Sequence, residues 1–189
     1  MTVSRTKNPK LYLAGPEVFL ADALANAGAQ RSLCVKYGFV PLHPMDNNLD
    51  LGNRDMNTAI TIQKADVAQI RDCDIVVANC NGFRGVCMDD GTAYELGYGN
   101  ALGKPSYGYI REDISLVQRT EREIRHQKIP GKASLDENGY LITDDFGTRI
   151  NLMMECGMLI SGGRLVIGNF ADCLKAIRAD IDSGKLVLP

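Results

Sequence analysis

The chain has 189 residues, 45% of them hydrophobic and 23% charged, the profile of an ordinary globular protein with room for one well-filled core. A formal net charge of −2 and a pI near 5.7 exclude a broad basic surface for a nucleic-acid polymer or an anionic membrane. No apolar run approaches the roughly 20 residues that span a bilayer, and the opening MTVSRTKNPK lacks the apolar stretch of a secretion signal.

Leu11-Tyr12-Leu13-Ala14 is a short apolar run stopped by Gly15-Pro16, which predicts a buried strand and a turn. Leu20, Leu24, Ala27, Arg31 and Cys34 recur at helical spacing up to Gly38. Phe39-Val40-Pro41-Leu42 is a second strand candidate, weakened by its proline. A polar loop over 47–57 leads to a helix from Asn57 whose face is marked by Ile60, Gln63, Val67 and Ile70. Asp74-Ile75-Val76-Val77-Ala78 is the clearest buried strand of the chain.

After a glycine-containing loop over 79–90, Gly91 to Leu102 reads as a helix stopped by Gly103-Lys104-Pro105. Ser106 to Ile110 is a fourth strand. Residues 111–147 form a polar insert, with part of 114–127 expected to be helical and a turn at Asn138-Gly139 ahead of Tyr140-Leu141-Ile142. Asn151 caps a short helix through Met158, Leu165-Val166-Ile167 is a fifth strand, and Phe170, Leu174, Ile177 and Ile181 line the last helix. Five apolar strands alternating with helices imply a single α/β domain over 1–189, a five-stranded parallel sheet covered on both faces. Ligands of such sheets sit beyond the carboxyl ends of the strands.

The chemically informative stretch is Phe83-Arg84-Gly85-Val86-Cys87-Met88-Asp89-Asp90-Gly91-Thr92-Ala93-Tyr94-Glu95-Leu96-Gly97. Two aspartates precede a helix and Glu95 lies one turn into it, where the partial positive charge of the helix end favours an ionised carboxylate by roughly 0.3–1 kcal/mol. Such a carboxylate can act as a nucleophile, and Gly91 lets a ligand approach the backbone. Yet Thr92-x-x-Glu95 is equally a capping-box pattern, and Asp89 or Asp90 can cap the helix. On local sequence alone capping is the simpler reading. The two roles exclude each other, because a carboxylate folded back on its own helix cannot point at a sugar.

The pattern Asp89-x-Gly91-Thr92-x-x-Glu95-x-Gly97 resembles the signature of the nucleoside 2-deoxyribosyltransferase family. So do Tyr12-Leu13-Ala14-Gly15-Pro16-Glu17-Val18-Phe19, Asp72-Cys73-Asp74-Ile75-Val76 and Ile150-Asn151-Leu152-Met153, and Phe83-Arg84-Gly85 resembles a loop of some members. These blocks span most of the chain in the right order. The resemblance implies a flavodoxin-like fold and a homo-oligomer with shared sites. It implies Glu95 as the nucleophile on the anomeric carbon, Asp74 as the proton donor beside the nucleobase, and Tyr12 as the hydroxyl that orients Glu95. It further implies Asp89 on the sugar 5′-hydroxyl and Asn151 donated by a neighbouring subunit. The small-molecule partners would be 2′-deoxynucleosides and free nucleobases.

A glycosidic bond breaks through an oxocarbenium-like transition state that a nearby carboxylate stabilises and traps. Protonating the departing base is typically worth about 10²–10⁴-fold. Smaller signals stay open. Gly15 and Glu17 sit at the mouth of the first strand, where Glu17 can bind a ligand hydroxyl or cap a helix. Arg84 can reach a ligand or pair with a loop aspartate, and His43 reads as structural. No G-x-G-x-x-G, P-loop or metal motif occurs, so no cofactor is expected. The six cysteines form no C-x-x-C pair and fit reduced thiols in the cytoplasm. Two rivals remain: a 2′-deoxynucleoside 5′-monophosphate N-glycosidase, disfavoured by an acid in the first loop, and a non-catalytic nucleoside-binding module.

Overall fold

The computed structural model describes residues 8–47, 49, 52–129 and 134–188. The basic opening through residue 7, part of the 47–57 loop and residues 130–133 of the polar insert lie outside them. The elements run β1 (Lys10–Ala14), α1 (Ala23–Lys36), β2 (Val40–Leu42), α2 (Met56–Asp72), β3 (Ile75–Asn79), α3 (Asp90–Ala101), β4 (Ser106–Ile110) and α4 (Leu116–Glu123). A small ribbon, β5 (His126–Gln127) with β6 (Leu135–Asp136), then precedes α5 (Leu152–Ile160), β7 (Arg164–Ile167) and α6 (Phe170–Asp182).

The main sheet has five parallel strands in the order β2-β1-β3-β4-β7. Counting these strands alone, this is the flavodoxin-like order, whose direction of winding reverses between β1 and β3. Tyr12 lies beside Val76 and Ala14 beside Ala78 across that junction. Side chains alternate along each strand, so each strand feeds two cores. Leu11, Leu13, Ile75, Val77, Tyr107 and Tyr109 pack with Cys34 of α1 and with Cys173, Leu174 and Ile177 of α6. Tyr12, Ala14, Val76 and Ala78 face the other way, onto Ile70 of α2, Leu96 of α3 and Met158 of α5.

Several elements differ from expectation for identifiable reasons. Pro16–Phe19 closes as a turn of 3-10 helix, so α1 begins at Ala23, and Leu20 and Leu24 lie exposed off its buried face. The Asn138-Gly139 turn forms, with Gly139 in the left-handed region and Asp136 Oδ1 accepting from the amides of Asn138 and Tyr140. After it a single bridge joins Leu141 to Leu135. Tyr140 and Leu141 are exposed, so no burial supports a longer ladder.

Candidate active site

The site grows from one close approach of helix to sheet. A side chain at Gly99 would meet Val76 Cγ2 at 2.5 Å, so only glycine lets α3 settle this near β3. One turn back along α3, Glu95 thereby reaches the fully buried Tyr12 of β1, whose hydroxyl donates to Glu95 Oε1 at 2.5 Å. The helix start is capped by Asp89, whose Oδ2 accepts from both the backbone amide and the hydroxyl of Thr92, at 2.8 and 2.9 Å. Capping is therefore the task of Asp89, and Glu95 is not folded onto its own helix. Of the two readings left by the local sequence, the free carboxylate is the one observed.

Glu95 faces a cavity of about 300 Å³ that it shares with Asp66 of α2, Gly91, Gln63 and Tyr94. This is enough room for part of a nucleoside. Burial raises Glu95 from the ordinary 4.5 to about 7, against the Tyr12 hydrogen bond, which favours the ion; Asp66 and Asp89 add to the rise. Burial likewise lifts Asp66 to about 6, against a hydrogen bond from Asn47. Burial and the neighbouring carboxyls push Tyr12 well above the usual phenol range, so it stays a donor. Two carboxyl groups with raised pKa values in one cavity can divide the work of nucleophile and proton donor.

A second cavity, about 630 Å³, is lined by the loop before α3 and by the helix start. Its wall carries Asp89, Asp90, Met88 and a stacked pair, Phe19 on Phe83, with centroids 5.5 Å apart. Arg84 lies in the left-handed region with φ 54°, and its guanidinium covers the Phe83 ring at 4.7 Å. Among the described residues no ion pair involves Arg84, and it lines this cavity.

The remaining expected site residues divide. Gly91 borders the Glu95 cavity as expected. Asp74 does not belong to the site. It precedes β3 at the amino edge of the sheet, where its Oδ2 accepts from the Lys10 amide at 2.7 Å. It is not among the residues that line the Glu95 cavity. Glu17 is turned inward: its Oε1 accepts from Asn79 at 2.8 Å, Tyr109 at 2.8 Å and Gln30 at 3.5 Å. Gly15 serves the same arrangement, because a Cβ there would lie 2.0 Å from Glu17 Oε2. Asn151 caps α5 on an exposed surface, accepting from the Met153 amide at 3.0 Å, and is not part of the Glu95 cavity within one chain. His43 is structural: buried, with Nδ1 accepting from the Met45 amide and Nε2 bonded to Gln30.

Asp66 is the residue that sequence reasoning missed. Its signal was present: Gln63, Asp66, Val67 and Ile70 follow the i, i+3, i+4, i+7 spacing of the inward stripe of α2, which places a carboxylate on a buried face. Among the described residues, no group of three or more acidic, histidine or cysteine side chains converges to hold a metal, and no helix is long and apolar enough to cross a membrane.

The fold is thus a flavodoxin-like α/β sheet that holds one carboxyl by a tyrosine hydroxyl, with a second carboxyl lining the same cavity. Residues 11–153 match the Nucleoside 2-deoxyribosyltransferase family, and the chain belongs to it. Family membership supports an enzyme that transfers a glycosyl group or cleaves an N-glycosidic bond. The chain is similar to a 2-desoxiribosyltransferase structure from Leishmania mexicana, at 27% identity and a TM-score of 0.65 over 92% of this chain and 97% of that one. A conserved protein from Enterococcus faecalis shares the fold at 20% identity and a TM-score of 0.57, over 90% of this chain and 98% of that one. An uncharacterised Schizosaccharomyces pombe protein is 28% identical over 176 residues, covering 85% of this chain and 82% of its own.

Proposed function

We propose that this protein moves 2-deoxyribose from one nucleobase to another through a covalent intermediate on Glu95. The observation that carries the reading is the Glu95 carboxyl held by Tyr12 and open, together with Asp66, to one cavity. In the first step a Glu95 oxygen attacks C1′ of a 2′-deoxynucleoside, the C1′–N bond breaks, and Asp66 passes its proton to the departing ring nitrogen. In the second step a nitrogen of a new base attacks C1′ from the original face, its proton returns to Asp66, and Glu95 is released. Two inversions give overall retention. Tyr12 directs the Glu95 oxygen that it does not bind toward the sugar.

Asp89 keeps Oδ1 unused by its capping bonds and is proposed to receive the sugar 5′-hydroxyl. The two aspartates at the start of α3 favour an uncharged hydroxyl there over a phosphate, which supports nucleosides over nucleotides as substrates. Met153, beside Asn151 at the start of α5, and Leu159 and Ile160 at its end are exposed, and we infer that this helix meets a second copy whose site Asn151 completes. Six free cysteines agree with action in the cytoplasm.

The test is incubation with a 2′-deoxynucleoside, with and without a different free base. A new deoxynucleoside is the expected product. Free base alone in both arms identifies a hydrolase, and saturable binding without either product identifies a binding module; each contradicts the transfer reading.

A further inference from the structure

The acid of the proposed reaction is itself held by a short amide chain. Gln69 Nε2 donates to Asn47 Oδ1 at 2.7 Å, and Asn47 Nδ2 donates to Asp66 Oδ1 at 2.9 Å. Gln69 is on α2, one turn beyond Asp66, while Asn47 comes from the loop after β2, so two separate elements converge on one carboxyl. Among the described residues no hydrogen bond reaches the other oxygen, Asp66 Oδ2. An N–H aimed at Oδ1 compels that oxygen to be a bare acceptor. The acidic proton is thereby favoured on Oδ2, which has no hydrogen bond among the described residues, on a side chain that lines the Glu95 cavity.

We propose that Asn47, itself oriented by Gln69, is a positioning residue that decides which oxygen of Asp66 carries the transferable proton. The inference rests on Asp66 acting as the proton donor. Gln69 matters because a primary amide has two faces. With its Oδ1 occupied by the Gln69 donor, Asn47 can present only its NH₂ to Asp66. Turned over, the same amide would offer Oδ1, accept the acid proton and hold it away from the substrate. The bond from Asn47 also favours the ionised form of Asp66. It makes the acid readier to give its proton up, while burial ensures there is one to give.

The experiment compares two donors of deoxyribose: an ordinary 2′-deoxynucleoside, whose base needs a proton to leave, and a 2-deoxyribosyl compound with a nitrophenolate leaving group, which needs none. For Asn47→Ala, kcat on the deoxynucleoside is expected to fall roughly 10- to 100-fold, the scale of a misplaced reacting group. Activity on the nitrophenyl compound is expected to hold within a few-fold, which also certifies the fold. Gln69→Leu, similar in size, is expected to give a smaller loss with the same selectivity. Asp66→Asn, run in parallel, separates the two layers. If Asp66→Asn leaves deoxynucleoside turnover intact, the acid assignment itself is wrong. If Asp66→Asn shows the leaving-group selectivity and Asn47→Ala slows neither donor, or both donors equally, the acid stands and the positioning role is overturned.

Discussion

Glu95 and Glu17 are both half-buried glutamates near the carboxyl edge of one sheet, on its opposite faces. Glu95 receives one hydrogen bond, from Tyr12, and opens on a cavity of about 300 Å³. Glu17 receives three donors on one oxygen, from Asn79, Tyr109 and Gln30, and the void beside it is about 10 Å³, room for no more than a water. A carboxylate whose lone pairs are taken by buried donors is architecture: it ties the end of β1 to β3 and β4. One that is left under-bonded at the edge of a cavity keeps its lone pairs for a substrate. Hydrogen-bond saturation and free volume, rather than sequence neighbourhood, separate the two.

The contrast is broken most directly at its two carboxylates. Glu95→Ala is expected to lower exchange by at least roughly 10⁴-fold, the scale of losing a nucleophile, while the circular dichroism spectrum stays that of the parent. Near-normal turnover would move Glu95 to the same side of the contrast as Glu17. Glu17→Ala should do the reverse. Stranding the Tyr109, Asn79 and Gln30 donors is expected to cost roughly 2–4 kcal/mol in urea denaturation, with turnover per folded molecule within a few-fold of the parent. A full loss of activity without loss of stability would make Glu17 a ligand residue.

Stability against pH sharpens the same point. Glu95 titrates near 7 when folded and near 4.5 when unfolded. Its ionisation therefore weighs against the fold, increasingly from about pH 4.5 and in full above about pH 7. Glu95→Gln is expected to be more stable than the parent by about 1–3 kcal/mol at pH 8, with the gain fading toward pH 4. A uniform shift at all pH values would show that the carboxyl is not strained by burial.

The smallest expected effect concerns Tyr12. Turnover requires Glu95 bare and Asp66 protonated, one proton across a pair that titrates near 6 and 7, so the rate should peak between those values and fall on both sides. Tyr12→Phe removes a bond that favours ionised Glu95. The alkaline limb is expected to move to higher pH, with about a tenfold drop in kcat. An unmoved limb would mean that the hydroxyl packs beside the carboxylate without governing it.

Much of this was legible before any coordinates. Strand runs such as Ile75–Asn79 declare themselves because a sheet buried on both faces demands continuous apolar sequence, and Glu95, Tyr12 and Gly91 stand in local patterns. What was misread depended on direction. Asp74 looks equivalent to a site residue in a linear pattern, but strands in a parallel sheet have a chemical end and a structural end, and Asp74 is at the latter. Asp66 was hidden because a lone aspartate on a helix is read as solvated unless its place on the inward stripe is counted. Glu17 was ambiguous because its partners, Asn79 and Tyr109, come from 62 and 92 residues away. The role proposed for Asn151 requires a second copy of the chain, which no single-chain pattern can display.

The central claim is a covalent sugar on one named side chain. Rapid quenching of the protein with a 2′-deoxynucleoside in the absence of any acceptor base, followed by peptide mass spectrometry, should find one added deoxyribosyl group on the peptide that contains Glu95. The adduct should vanish when a second base is supplied and be missing in Glu95→Gln. Turnover with no adduct at any quench time, or an adduct that persists in Glu95→Gln, would contradict it.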